Sequence, residues 1–214
     1  EIHINKDTSE SLAKFIPDGA VELYYDNVKT FQTSTHGIQV QGAEGQNAEL
    51  LLFADEGDDN ADKWRFKVDT NGQLEISNYA SGSYEKNIEC NGNGNVELYY
   101  DGSKKFETVS NGTKLGDNLY NYWGDDNDMW MGHNGSHSYI DNNAGHLYIR
   151  SDSLDLTNGD GSENYLVCTP NGSVKLYHDH SKKLETTSGG IDVTGVINVN
   201  GSPLSAAPEV SLVA

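Results

Sequence analysis

The chain has 214 residues and a formal net charge of -19. Leu, Ile, Val and Phe together account for 45 residues, about one fifth of the chain, which is close to the level at which highly charged chains stay disordered. The negative charge repels a phosphate backbone and an anionic bilayer, so we expect neither nucleic-acid binding nor membrane insertion. No apolar run reaches transmembrane length, and Glu1 to Lys6 lack the basic start of a signal peptide.

Other features of the composition argue against disorder. The chain contains 12 Tyr and 3 Trp, and it shows strand periodicity along most of its length. We therefore expect an ordered chain that buries a thin core and completes its apolar burial against partner chains or a bound ion. Because residue 1 is Glu and not Met, we also expect a processed product or an excerpt of a longer chain.

One sequence pattern occurs three times and organises the chain. Its copies begin at Gly19, Gly94 and Gly172, with spacings of 75 and 78 residues, and they read GAVELYYDNVKTFQT, GNVELYYDGSKKFET and GSVKLYHDHSKKLET. Within each copy, apolar and polar residues alternate with the period of a strand. Asp101-Gly102 is a strong signal for a two-residue turn, so each copy predicts a β-hairpin. A further strand follows each hairpin, and it is shortest after the second.

These patterns predict an all-β fold, built as an elongated stack of repetitive β-hairpin modules. Abundant Gly and Asn supply turns at short intervals, and no convincing amphipathic helix is present. The predicted divisions are a partial first module at 1–45, a second module at 46–117 and a third at 118–201. Residues 202–214 are predicted to be a C-terminal tail or the start of a missing domain.

The repeated phrase VELYYD followed by KKFET resembles repeats in tail-fibre and related structural proteins of marine tailed bacteriophages, particularly those that infect cyanobacteria. The resemblance spans all three copies, from Gly19 to Gly201. It implies a homotrimeric, β-rich fibre in the phage virion, outside the cell, with chains side by side or intertwined. The implied partners are copies of the chain itself, other tail proteins and a host surface glycan or protein. Many such fibres also carry a self-cleaving chaperone after the mature part.

Two clusters of carboxylates are candidate Ca²⁺ ligands because Ca²⁺ prefers oxygen donors. Their members are Asp55, Asp58, Asp59 and Asp62 in the first, and Asp125, Asp126 and Asp128 in the second. The spacing does not match an EF-hand loop. Asp and Asn also dominate ordinary turns, where their side chains bond the local backbone. A polar turn is therefore the competing interpretation.

A second candidate metal site is His178-Asp179-His180. If this segment is a strand, its period of two places both imidazoles on one face, and symmetry-related copies then offer several nitrogens to a transition metal. The motif occurs once, at the turn of the third hairpin, where the other copies have no His.

Cys90 and Cys168 occupy the same position of the repeat, 78 residues apart, and the first module has Phe15 there. Equivalent positions in stacked modules are too far apart for a disulfide. We therefore expect two buried free thiols in an apolar environment.

Receptor contact is expected from exposed aromatic side chains, which are common platforms for sugars. The densest cluster also contains Trp130 and Tyr139. For the whole cluster, a role in the core is the competing interpretation, which we favour for Trp130 because Trp64 occupies the matching position, and which stays open for Trp123. The candidate receptor-binding residues are Tyr120, Tyr122, Trp123, His133 and His137.

No arrangement of nucleophile and base, and no distinct carboxylate pair, indicates an enzyme. The first interpretation is therefore a tail-fibre segment with a structural shaft or host-adhesion role. A polysaccharide-degrading, tailspike-like enzyme is the second. The third is a self-assembling filament or surface-layer protein.

Overall fold

The computed structural model describes residues 1–204, so that most of the predicted tail at 202–214 lies outside the described residues. Within them, twenty-two β-strands are joined by turns and by two single-turn 3-10 helices, Asp55–Gly57 and Asn60–Asp62. All the strand pairs described below are antiparallel. The prediction of an all-β fold is therefore confirmed. Among these residues, no helix is long and apolar enough to cross a membrane.

The first sheet has five strands that follow one another in chain order. They are β1 (Ile2–Asn5), β2 (Ser11–Phe15), β3 (Val21–Tyr25), β4 (Val28–Ser34) and β5 (Gly37–Val40).

The second sheet has seven strands, again in chain order. They are β6 (Ala48–Phe53), β7 (Lys63–Val68), β8 (Gln73–Asn78), β9 (Glu85–Asn91), β10 (Val96–Tyr100), β11 (Ser103–Val109) and β12 (Gly112–Lys114). The two 3-10 helices lie between β6 and β7.

The later strands form three smaller sheets. The three-stranded sheet contains β13 (Leu119–Trp123), β14 (Met129–His133) and β15 (Ser138–Asn142). The five-stranded sheet contains β16 (Leu154–Thr157), β17 (Asn164–Cys168), β18 (Val174–His178), β19 (Ser181–Thr187) and β20 (Gly190–Val193). A two-stranded ribbon consists of β21 (Asn198–Val199) and β22 (Ser202–Pro203). The chain also divides into two compact units, with the boundary between Gly145 and His146.

The predicted third module is therefore not one sheet. In the second sheet, β8 pairs with β9, and a short loop at 79–84 joins the two. The corresponding strand later in the chain, β15, is followed by residues 143–153, which contain no strand. As a result, the strands that form one continuous sheet in the second module are divided among separate sheets in residues 118–201.

The three copies of the sequence motif adopt one backbone conformation. In each hairpin, both central turn residues have positive φ, and the pairs are Asp26 (49°) and Asn27 (63°), Asp101 (51°) and Gly102 (66°), and Asp179 (48°) and His180 (59°). Two positive φ values match the twist of a two-residue hairpin, for which Asp-Gly is a preferred sequence. The register also shifts at the same place in each copy, after Leu23, Leu98 and Leu176.

A threonine hydroxyl accepts a backbone hydrogen bond at the start of every hairpin. The N–H groups of Val21, Val96 and Val174 donate to Oγ1 of Thr33, Thr108 and Thr186, at 2.9 Å in each case. The repeated threonine therefore ties the return strand to the first residue of the hairpin.

In the second sheet, the polar side chains are better covered than the apolar ones, which is the reverse of the usual pattern. Along β7, the basic residues at 63, 65 and 67 are partly covered, whereas Trp64, Phe66 and Val68 are exposed. Ala13 is the one apolar residue that is fully buried in the described part of the chain, and the other buried residues are Glu75, Ser77 and Glu89. The best-covered region of a single chain is thus polar.

Candidate functional site

The three-stranded sheet carries an aromatic cluster on one face. The Trp130 ring lies between Tyr120 and Tyr139, with centroid separations of 4.8 Å and 5.3 Å. Tyr122 meets the edge of Tyr120 at 6.0 Å. Gly132 lies opposite both Tyr120 and Tyr139 in the register, and a Cβ at this glycine would come within 2.4 Å of the Tyr120 ring. A glycine is therefore needed for the Tyr120 ring to lie against β14.

The predicted receptor-binding residues separate onto the two faces of this sheet. Tyr120 and Tyr122 are on the aromatic face, and His137 joins them, with its ring 6.5 Å from Tyr139. Trp123 and His133 have the opposite parity on their strands and belong to the other face. The sequence did not predict which face each of these side chains occupies, because that depends on where each strand begins and ends.

Polar groups lie beside the aromatic cluster. The side-chain amide of Asn134 donates to the Tyr139 hydroxyl at 3.0 Å. Asp141 pairs with Trp130 across the sheet. Tyr122 is the most exposed tyrosine of the cluster, at 52%. The aromatic face therefore combines ring surfaces with hydrogen-bonding groups, which is the type of surface that contacts sugars.

The first acidic cluster is brought together in part. The carboxylates of Asp58, Asp59 and Asp62 each offer an oxygen within 4.8 Å of the others. Among the described residues, Asp55 and the second cluster (Asp125, Asp126 and Asp128) do not form such a group. Asp58 and Asp59 are exposed, and exposed acidic groups of this kind are common without an ion, so the Ca²⁺ site stays a prediction.

The strand geometry assumed for His178-Asp179-His180 is wrong. β18 ends at His178, and Asp179 and His180 are the two turn residues with positive φ. Period-two alternation therefore does not extend across the motif. The backbone N–H of His180 donates to a Glu163 carboxylate at 3.3 Å, and among the described residues no cluster of three ligands forms here.

Both cysteines are free and half-buried. Cys90 pairs with Leu74 and Val96 across the second sheet, and Cys168 occupies the equivalent place in the five-stranded sheet. The prediction of free thiols is confirmed, but they are less buried than expected because the face on which they lie is open.

The second sheet has a polar face crossed by a row of paired charged residues. We call it the central polar face, and its defining row is Glu49, Lys67, Glu75, Glu89, Glu97 and Glu107. Arg65, which projects to the same side, donates to Glu75 at 2.6 Å and to the Ser77 hydroxyl at 3.3 Å. Its guanidinium also lies 4.0 Å from the centre of the Tyr84 ring. The 79–84 loop thus covers part of this face.

Each carboxylate of this network is held by a cation or a hydroxyl. Burial raises the pKa of Glu75, but hydrogen bonds from Lys67 and Arg65 outweigh it, so the pKa of Glu75 lies below its usual value. A hydrogen bond from Tyr99 lowers the pKa of Glu97, and one from Lys104 lowers the pKa of Glu107. A general acid in glycoside hydrolysis requires the opposite direction.

The opposite side of the same sheet is apolar and open. We call it the central apolar face, and its defining row is Leu50, Phe66, Ile76, Ile88, Leu98 and Phe106, which pair in turn across six strands. The first sheet has the corresponding row Ile4, Ala13, Leu23, Phe31 and Val40. The later five-stranded sheet has Leu156, Leu166, Leu176, Leu184 and Val193.

The central leucine of the motif is exposed to the same degree in all three sheets. Leu23, Leu98 and Leu176 are exposed by 42%, 41% and 41%. Single exposed leucines are ordinary, but contiguous apolar faces mark interaction surfaces. Comparisons with known protein families, with curated proteins and with solved structures find no match for this chain.

Proposed function

We propose that this chain is a segment of a bacteriophage tail fibre, a structural and adhesive part of the virion that acts outside the cell. The observation that supports this function best is the sheet that recurs three times with one open apolar face. A repeated unit of this kind is suited to a spacer because every repeat offers the same surface for association. The sequence resemblance supplies the phage context and the expected number of chains, which is three.

The proposed partners follow from the two kinds of surface. Copies of the chain cover the apolar faces, whose defining rows carry no hydrogen-bonding side chains to recognise a sugar. The aromatic face of the three-stranded sheet is chemically different, because tyrosine hydroxyls and Asp141 lie beside the rings. Host contact, with a surface glycan as the ligand, is therefore assigned to that face, and Tyr122 is its most exposed tyrosine.

Sedimentation equilibrium of the full chain tests the proposed assembly. The expected mass is a fixed small multiple of the 23.4 kDa monomer, with three chains as the value implied by the resemblance. Electron microscopy of the same sample is expected to show short rods of uniform length. Filaments of variable length would favour a surface-layer or filament protein instead, and a folded monomer at all concentrations would contradict the proposal.

Adhesion is tested by binding of the purified protein to surface polysaccharide from candidate bacterial hosts. We expect the Tyr122→Ala variant to bind about 5- to 30-fold more weakly, because loss of one stacking ring removes about 1 to 2 kcal/mol. Tyr165→Ala is the matched control, since Tyr165 is exposed by 50% but lies on β17 and outside the aromatic face. Equal binding of both variants would exclude this face as the adhesive surface.

A further inference from the structure

Taken together, the apolar rows of the three sheets are too large to be an ordinary feature of an isolated chain. The six strands that the row crosses, at about 4.8 Å spacing and each about 17 Å long, give a face of about 500 Å². The largest apolar patch of a typical monomer is about 300 to 600 Å² in total. This chain has two further rows of the same kind, so its uncovered apolar area exceeds the roughly 800 Å² that each partner contributes to a standard interface.

The arrangement of the apolar rows identifies the partner. The three motifs recur at 75 and 78 residues, and their central leucines are exposed to the same degree. Each row requires a matching apolar face on a partner. A second copy of this chain meets that requirement without any further assumption.

The distribution of charge over the two faces is consistent with a second copy as the partner. A chain with a net charge of -19 repels its own copies. However, Glu75, Glu97 and Glu107 lie on the central polar face, where Lys and Arg side chains pair with them. Copies that meet through the opposite face keep these charges apart by the thickness of two sheets, which pack about 10 Å from one another.

We propose that a second copy of this chain covers the central apolar face, sheet against sheet, and encloses Cys90. This inference rests on the proposed function, because it names the surface through which the fibre segments associate. In an assembly of three chains, each central apolar face meets the same faces of the other copies, since a five-stranded face is narrower and leaves part of it exposed.

The native thiols make the proposal testable at the level of single faces. Cys90 lies on the central apolar face and Cys168 on the row of the five-stranded sheet. In the full-length protein, we expect Cys90 to react with a bulky maleimide at least about tenfold more slowly than after dissociation, because labelling then follows the fraction of open interface. Peptide mass spectrometry assigns the label to each cysteine separately.

Leu98→Glu places a carboxylate in the centre of the central apolar face. We expect association to weaken by at least about 100-fold, as a desolvated unpaired charge costs several kcal/mol, with faster labelling of Cys90. Lys105→Gln is the matched control, because it changes the net charge by the same amount at an exposed position. Tyr100→Glu provides a second variant at a position that is 75% exposed in the single chain, so the sheet tolerates it.

Three results are distinguishable. Dissociation and rapid Cys90 labelling in Leu98→Glu and Tyr100→Glu, with Lys105→Gln unchanged, support the proposal. If the wild type is an oligomer whose mass and Cys90 labelling are unaffected by both variants, the interface is elsewhere, although the proposed function stands. If the wild type is a 23.4 kDa monomer with rapidly labelled Cys90, both proposals are overturned.

Discussion

The central polar face and the central apolar face share every strand of one sheet, yet only the polar face is well covered within a single chain. Long Lys, Arg, Glu and Tyr side chains lie along the sheet surface and hydrogen-bond to one another, so their aliphatic stems and charges are shielded together. Glu75 and Glu89 are 5% and 6% exposed. Leu and Val side chains are shorter, and they stand upright without any group to cover them.

The difference between the two faces separates two sources of stability. The polar face depends on charges and hydrogen bonds inside the chain, and these respond to pH and to single side-chain deletions. On the proposed function, the apolar face depends on a partner, so its contribution responds to protein concentration and to solvent. Each prediction below affects one face more than the other.

Acid is expected to have the largest effect, and it acts on the polar face. The pKa values of Glu75, Glu97 and Glu107 are lowered below 4.5 in the folded chain. Their stabilisation is therefore complete above that pH and is lost as the pH falls through the folded-state pKa values. We expect the free energy of unfolding in urea, followed by Trp fluorescence, to be nearly constant between about pH 7 and 5 and to fall below about pH 4.5.

A control for the acid prediction is Glu97→Gln, which removes one of the shifted carboxylates. This variant is expected to lose less stability than the wild type over the same acidic range. A stability that rises on acidification would show that the carboxylates of the central polar face repel one another more than their cations attract them.

Much of the fold was predictable from the sequence, but the choice of covered face was not. Alternation at Val96, Glu97 and Leu98 defines two faces, and Asp101-Gly102 defines the turn, so hairpins and registers follow from local rules. This alternation does not show which face of the sheet is covered by other side chains. That depends on cross-strand contacts such as Arg65 to Glu75, which are ten residues apart in the sequence.

The candidate sites show the same limit. The aromatic residues around Trp130 were recognisable by their density, and the structure brings four of them to one face. Trp123 and His133 were grouped with them because proximity in the sequence does not show on which face of the sheet a side chain lies. In the same way, the alternation does not extend across His178-Asp179-His180, since a two-residue turn follows the last strand residue.

Loss of Arg65 is expected to have the next largest effect. Its guanidinium bonds Glu75 and Ser77, whose side chains are almost inaccessible, and it stacks on Tyr84. The Arg65→Met variant keeps much of the apolar stem but leaves Glu75 with Lys67 as its remaining ion-pair partner. We expect the free energy of unfolding to fall by about 2 kcal/mol.

The matched control is Lys114→Met on the same face. Lys114 is paired with Glu107 at 3.4 Å, but its side chain is 61% exposed. We expect a loss below about 0.5 kcal/mol. Both variants are compared in urea at one protein concentration, because association also contributes to stability. Equal losses would mean that burial of the ion pair adds nothing.

Salt is expected to have a smaller effect. Whether association becomes stronger or weaker with salt shows which of the two faces joins the copies. Every copy carries a net charge of -19, so screening reduces the repulsion between copies, and apolar contacts are not weakened. Raising NaCl from about 20 to about 500 mM should strengthen association about tenfold in sedimentation equilibrium. Weaker association at high salt would instead indicate that ion pairs of the central polar face join the copies.

The smallest expected effect comes from Thr108, the polar residue on the apolar side of β11 that accepts a hydrogen bond within the chain. Thr108 shares the parity of Phe106, and its hydroxyl accepts the hydrogen bond from the Val96 N–H at 2.9 Å. Thr108→Val removes this bond and adds apolar surface to the open face. We expect the dissociated chain to lose about 1 kcal/mol, measured in the Leu98→Glu background, while association of the otherwise wild-type protein becomes tighter. Thr108→Ser keeps the acceptor and should change neither quantity appreciably. If Thr108→Val left the stability of the dissociated chain unchanged, water would satisfy the Val96 N–H equally well, and the threonine at 33, 108 and 186 would serve the assembled interface rather than the hairpin.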